Sequence, residues 1–183
     1  MLKWKKSFLS VILQLLTFCC SIGIIIPFFK QFQPSSLEKT QESIDVDVSG
    51  LEKGMSKIVH WQGQLVVIRN RTDEEVALAQ HAPLSALKDK LARNPNISAG
   101  TFATDLARSA GEGKENWLIV VKKCTHLGCI PIPIGQAGAF KGWFCPCHGS
   151  SYDTAGRIRQ GPADYNLVIP PYRFLSENKL RIG

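Results

Sequence analysis

The chain has no dense basic block and no run of aromatic residues interleaved with lysine and arginine. Its 22 basic residues exceed its 15 acidic ones for a net charge of +7, but the excess is spread along the whole length. That distribution excludes the electrostatic footprint of a nucleic-acid binder, so no nucleic-acid partner is expected. No internal repeat is visible, and 183 residues hold one modest domain plus an appendage, not two large cores.

Charge is missing altogether between Ser7 and Phe29, a stretch of 23 residues rich in Ile, Leu and Phe. At ~1.5 Å per residue, a helix of that length crosses a hydrocarbon core of about 30 Å. A cleaved signal peptide would carry a shorter apolar region and then a small-x-small cleavage site; Ile24-Ile25-Ile26-Pro27-Phe28-Phe29 stands there instead. The expectation is a single uncleaved N-terminal transmembrane helix within residues 1–30. Lys3, Lys5 and Lys6 precede the span and Lys30 alone follows it, so the positive-inside tendency exports the remainder. Lys5-Lys6-Ser7-Phe8-Leu9 resembles a twin-arginine export signal with both arginines replaced by lysine, which leaves the export route open. No mitochondrial-type presequence precedes the span, which favours a bacterial inner membrane with the exported head on the periplasmic side.

Residues 31–43 are polar and without apolar periodicity, a flexible tether in this reading. The head spans residues 44–183. Ile44-Asp45-Val46-Asp47-Val48 alternates as a half-buried strand does. Lys57–Trp61 and Gln64–Arg69, joined by Gln62-Gly63, predict a hairpin. Asp73-Glu74-Glu75-Val76 predicts a helix start, interrupted by Pro83, with a second turn or two in Leu84–Leu91. Residues 94–115 predict a long loop and Trp117–Val121 a buried strand. Short strands are expected around Trp143, Tyr152, Ile158, Val168, Phe174 and Leu180, giving a mainly β head with one helical insertion. Two glycosylation-type triplets, Asn70-Arg71-Thr72 and Asn96-Ile97-Ser98, carry little weight, and His60 and His81 stand too far from other metal-ligating residues to count as ligands.

Six cysteines divide cleanly. Cys19 and Cys20 lie in the apolar span as small hydrophobes. The other four fall in two boxes, Cys124-Thr125-His126-Leu127-Gly128-Cys129 and Cys145-Pro146-Cys147-His148-Gly149-Ser150, separated by fifteen residues. A zinc site is the sharpest alternative, since cysteine and histidine at such spacings ligate zinc. Six candidates in two matching boxes are an odd count for a four-ligand zinc, whereas they suit a cluster on two cysteines and two histidines with one disulfide left over. An exported location favours oxidised cysteine pairs, and the glycines and proline of the boxes suit tight loops whose backbone N–H groups face sulfur.

The boxes C-T-H-L-G-C and C-P-C-H-G-S resemble those of the Rieske iron–sulfur subunit of ubiquinol–cytochrome c reductase. The similarity extends to Trp61-Gln62-Gly63 through Arg69-Asn70-Arg71-Thr72, to Gly161-Pro162-Ala163 and to the ending Lys179-Leu180-Arg181-Ile182-Gly183. The resemblance implies a Rieske fold of small antiparallel sheets, with the cluster-binding part at about residues 122–166, and one [2Fe–2S] cluster per subunit. By resemblance Cys124 and Cys145 hold one iron, His126 and His148 the other, and Cys129 and Cys147 form the disulfide. Ser150 and Tyr152 correspond to residues that hydrogen-bond cluster or ligand sulfur. His148 is the ring that meets quinol, and Leu127, Gly128, Pro146, Gly161 and Pro162 form a tip that docks on cytochrome b. The implied partners are cytochrome b, a c-type cytochrome, ubiquinol and, through one span, the membrane. The paired extra cysteines point to the high-potential branch, because oxygenase-type Rieske proteins lack them.

The donor set has a simple electrostatic rationale. Two ferric ions, two sulfides and two thiolates sum to zero charge with neutral imidazoles, against −2 with four thiolates. Adding an electron is then easier, and the potential rises to roughly −150 to +300 mV from about −400 mV. Histidine also has a second ring nitrogen for a proton, which suits the coupled chemistry of a quinol. A plastoquinol–plastocyanin reductase subunit is the related alternative, against which the respiratory-type insertion between Asp73 and Glu115 argues; a membrane-tethered Rieske carrier of some other oxidoreductase is the third reading.

Overall fold

A computed structural model describes residues 10–12, 14, 42–133 and 140–183. The expected transmembrane span and most of the tether lie outside the described residues, and among the described residues no helix is long and apolar enough to cross a membrane. Thr40–Gly183 form one compact unit.

Among the described residues, three small antiparallel sheets build this unit. The first, in the order β1-β10-β9, joins β1 (Ile44–Asp47) to β10 (Lys179–Ile182) and β9 (Tyr172–Ser176). The second is β2-β3-β4, from β2 (Ser56–Trp61), β3 (Gln64–Asn70) and β4 (Trp117–Val121). The third is β5-β6-β7-β8, made of β5 (Ile132–Pro133), β6 (Lys141–Cys145), β7 (Ser150–Asp153) and β8 (Ile158–Gln160).

Cover on both faces explains the unbroken apolar runs of β3 and β4 in the middle sheet. Val66 and Ile68 of β3 face one core, shared with Ile119 and Val121 of β4 and with Val46, Leu180 and Ile182 of the first sheet. Val67 points the other way, with Leu118 and Val120, into a second core that holds Cys124, Trp143, Cys145, Tyr152 and Ile158. The register sets Val66 opposite Val121, Val67 opposite Val120 and Ile68 opposite Ile119, so each face stays in phase. A strand covered on both sides needs apolar residues at every position, and each fully buried Val, Leu or Ile contributes about 1.5–3 kcal/mol. The β2–β3 hairpin turns at Gln62 (φ 48°) and Gly63 (φ 69°), both left-handed as a two-residue hairpin requires.

The insertion between β3 and β4 opens with helix α1 (Asp73–His81). Thr72 caps it, accepting the Glu75 N–H while the Glu75 carboxylate accepts the Thr72 N–H. The helix stops before Pro83, with Ala82 extended at ψ 114° as a residue preceding proline should be. Beyond it, the helical turns expected over Leu84–Leu91 shrink to a single 3₁₀ turn, Leu84–Ala86. The loop expected over 94–115 instead contains helix α2 (Asp105–Arg108), capped by Thr104, whose hydroxyl accepts the Ala107 N–H. A four-residue helix is too short to show apolar periodicity, so tertiary contacts and not local pattern fix it. Val168 lies outside any strand: its carbonyl accepts the Val121 N–H at 2.8 Å, one bond without a ladder.

Charged residues tie the insertion to the third sheet. Arg71, at the end of β3, is fully buried and forms a two-pronged ion pair with Asp105 of α2 at 2.6 and 3.2 Å. Arg108, also fully buried, donates to the carbonyls of Ala92, Ala155, Gly156 and Leu167. Burial lowers its pKa to about 10. Arg157 pairs with Asp153 at 2.7 Å and reaches the carbonyls of Ala79 and Ala103. These guanidiniums satisfy loop carbonyls that secondary structure leaves unpaired.

Candidate metal centre

Both boxes are short loops closed by backbone bonds at their own cysteines. In the first, which follows β4, Gly128 N–H donates to Cys124 C=O at 2.9 Å, and Cys124 N–H donates to Cys129 C=O at 2.7 Å. In the second, Cys145 ends β6, Ser150 opens β7 directly opposite it, and Gly149 N–H donates to Cys145 C=O at 3.0 Å. Cys129 and Cys147 are joined by a disulfide that ties the two loops together.

A third loop, Gly161–Asn166, closes over the second. Gly161 has a left-handed φ of 95°, and a Cβ there would lie 2.5 Å from the Ser150 Cα, so neither strain nor space admits a side chain. Ala163 N–H donates to Ser150 Oγ at 3.1 Å. Leu127, Pro146, His148, Gly161 and Pro162 are exposed, and Gly128 and His126 half-buried, so the expected tip residues rim the loops at the surface.

Cys124 and Cys145 remain as free, buried thiols. The rings of His126 and His148 stand edge to face with centroids 4.7 Å apart. Burial opposes ionisation of Cys124, yet hydrogen bonds from Tyr152, the His126 backbone, Cys145 and Ser150 outweigh it and hold the thiol below its usual value. Cys145 moves the opposite way, raised by burial and by sharing its contact with Cys124. Burial, and next the bond to Cys124, push the Tyr152 phenol up, so it stays a proton donor.

The chemistry of this donor set suits an iron–sulfur cluster. Two thiols and two imidazoles are brought to adjoining loops, and Nδ1 of His126 is buried without any hydrogen-bond partner. A buried imidazole nitrogen left unpaired is costly unless a metal takes its lone pair. The sulfurs of Cys129, Cys145 and Cys147 also lie within 4.8 Å of one another. Two of them are bonded to each other and offer no thiolate, so that triad is not a ligand set.

Sequence reading passed over Thr125, whose hydroxyl lies 3.2 Å from the Tyr152 hydroxyl and donates to the Tyr165 carbonyl. It also passed over Lys88, which reaches the third loop from the insertion. Neither carries a motif signal, because each acts on backbone far away in the chain. The glycosylation-type triplets are occupied structurally: the Asn96 amide bonds Asn94, Pro170 and Tyr172, and Asn70 bonds Leu51 and Asn116.

Residues 103–172 match the Rieske [2Fe-2S] domain family. The ubiquinol-cytochrome c reductase iron-sulfur subunit of Cereibacter sphaeroides is 47% identical over 157 residues, covering 86% of this chain and 83% of that one. Its counterpart in Rickettsia prowazekii (strain Madrid E) is 41% identical, covering 86% of this chain and 80% of that one. The mitochondrial Rieske subunit of the Solanum tuberosum cytochrome b-c1 complex is 45% identical over 160 residues, covering 87% of this chain and 54% of that one. This chain belongs to the family of Rieske iron–sulfur subunits of ubiquinol–cytochrome c reductase.

Proposed function

We infer that this chain is the electron-transfer subunit of a ubiquinol–cytochrome c reductase, taking an electron from quinol, passing it to a c-type cytochrome and releasing a proton. The observation that carries this is the meeting of two free buried thiols and two imidazoles on disulfide-tied loops, in a chain with these relatives. Cys124 and Cys145 would hold one iron, and His126 and His148 the other. When bound, the [2Fe–2S] group supplies one-electron chemistry at a potential raised by its two neutral histidine ligands.

The chain's own residues tune and present that group. Tyr152 offers its hydroxyl proton toward the Cys124 sulfur and Ser150, opposite Cys145, would offer its own to a bridging sulfide, and donors aimed at sulfur favour the more negative, reduced state. His148, exposed at the rim, would present a ring nitrogen to quinol, where a proton can be taken and later released. Leu127, 71% exposed, with Pro146, Gly161 and Pro162, forms an apolar tip that docks on cytochrome b and keeps water from that nitrogen. Exposed apolar residues clustered beside a reactive group mark a docking surface.

Residues 1–30 anchor the chain by one span in a bacterial inner membrane, and residues 31–43 tether the head, 44–183, on the periplasmic side. The charge-free stretch and the lysines before it support this placement. The tether lets one rigid head visit both the quinol site and the cytochrome.

Electron paramagnetic resonance of the dithionite-reduced full chain tests the centre. A rhombic spectrum with a low average g is expected, and a silent, zinc-loaded protein would overturn the assignment. Purification from native membranes tests the setting: cytochrome b and a c-type cytochrome should accompany the chain, and their absence would remove the reductase reading.

A further inference from the structure

Lys88 belongs to the insertion and stands far in sequence from both boxes, yet its ammonium reaches the third loop. Nζ donates to the Ala163 carbonyl at 2.7 Å and to the Gly161 carbonyl at 3.3 Å, with Asp164 Oδ1 3.5 Å away. The two carbonyls lie on either side of the peptide linking Pro162 to Ala163. The N–H of that peptide donates to Ser150 Oγ at 3.1 Å. Ser150 is fully buried and stands directly opposite Cys145 in the β6–β7 ladder, and with its oxygen accepting from Ala163 its own proton is left to face the metal centre. Lysine, peptide and serine therefore stand in series beside the metal centre.

We propose that Lys88 is a positioning residue of the metal centre: from the insertion it fixes the Pro162–Ala163 peptide, and through it the orientation of the Ser150 hydroxyl beside Cys145. The inference rests on the proposed function, with Cys145 a cluster ligand. It gives the insertion a part in setting the centre's redox properties.

The arrangement separates orientation from attachment. The third loop is held to the insertion independently of Lys88, because Asp89 accepts the Asn166 N–H at 3.0 Å and the Asn166 side chain donates to the carbonyls of Asp89 and Leu91. Asn166 also accepts the Ile158 N–H at 2.9 Å. Removing the lysine leaves these bonds in place and frees only the peptide plane above Ser150. Lys88 is partly exposed, its side chain 41% accessible, so its replacement buries no new charge.

The test compares Lys88→Met and Lys88→Arg in the cluster-loaded full chain, with two readouts. Hydrogen exchange at the Ala163 amide is expected to accelerate about tenfold in Lys88→Met, the factor that loss of one charge-assisted hydrogen bond brings. The midpoint potential is expected to fall with the visible spectrum retained, and Lys88→Arg should restore both. Unchanged exchange together with an unchanged midpoint would overturn the proposal. So would a fall in midpoint that high salt abolishes while Ala163 exchange stays at the wild-type rate, since that reports charge alone. A chain that loads no cluster would count against the proposed function, while Ala163 exchange in the same protein would still report on the linkage.

Discussion

The Tyr152 hydroxyl stands 3.3 Å from Sγ of Cys124, with the Thr125 N–H 3.2 Å from the same oxygen. A backbone N–H can only donate, so the phenol oxygen accepts there and turns its one proton toward the sulfur or the neighbouring Thr125 hydroxyl. An ionised sulfur is the stronger acceptor and takes it. Tyr152→Phe is therefore expected to keep the cluster and lower its midpoint, on the order of 50 mV for one charge-assisted bond removed. A redox titration followed by electron paramagnetic resonance checks this, and an unchanged midpoint would mean that the bond is equally strong in both redox states.

The Cys129–Cys147 disulfide closes a loop across a sequence separation of 18. A cross-link of that size limits the unfolded chain by about 3 kcal/mol. It also joins the two loops that carry the proposed ligands. The double variant Cys129→Ser, Cys147→Ser should lose its visible absorption at lower temperature than the parent and lose affinity for the cluster before the sheets melt. Thermal scans that follow absorbance and far-ultraviolet circular dichroism together separate the two events; coincident, unshifted transitions would refute the second role.

The site was legible in the sequence because its chemistry is local: each box puts cysteine and histidine within six residues, and a tight loop needs nothing from afar. Strands β3 and β4 were legible for a related reason, since burial on both faces forces an unbroken apolar run. Helix α2 was not, because what holds it is the Arg71–Asp105 pair across 34 positions and the Thr104 cap. The buried arginines were equally invisible. Arg108 and Arg157 look like any surface cation in sequence, and only the folded loops supply the carbonyls that receive them. Lys88 reads as a solvated charge for the same reason, though it reaches carbonyls more than seventy positions away.

The Arg71–Asp105 pair is almost completely closed to solvent, with side-chain exposures of 0% and 1%. Removing one partner of such a pair strands the other charge in a low-dielectric interior, at a cost of about 3–5 kcal/mol. Asp105→Ala is expected to lower stability by that amount in urea unfolding. The double variant Arg71→Met, Asp105→Leu should recover much of it, because no uncompensated charge remains. A single-variant cost below about 1 kcal/mol would show that the Glu115 and Thr154 carbonyls satisfy Arg71 by themselves.

Asp45 and Arg181 face each other across β1 and β10, and the guanidinium grips both carboxylate oxygens at 2.6 and 3.0 Å. Hydrogen bonds from Arg181 and then Lys179 hold the Asp45 carboxyl down at about 2, below the ordinary 3.8. The unfolded chain thus binds a proton more readily than the folded one between those values, and stability rises with pH across that window. The contribution is fully present above the unfolded value and is lost as pH falls through about 2. Both partners reach solvent, so the effect is screened and should shrink in high salt. Asp45→Asn is expected to flatten the acid limb of a urea-midpoint curve measured from pH 5 to 2, its curve lying modestly below the parent's at the neutral end and converging with it near pH 2. Hydrogen exchange in β1 should accelerate in the same acid range in the parent protein and be nearly pH-independent, after correction for intrinsic rates, in the variant. Parallel acid limbs in the two proteins would place the acid sensitivity at another carboxylate.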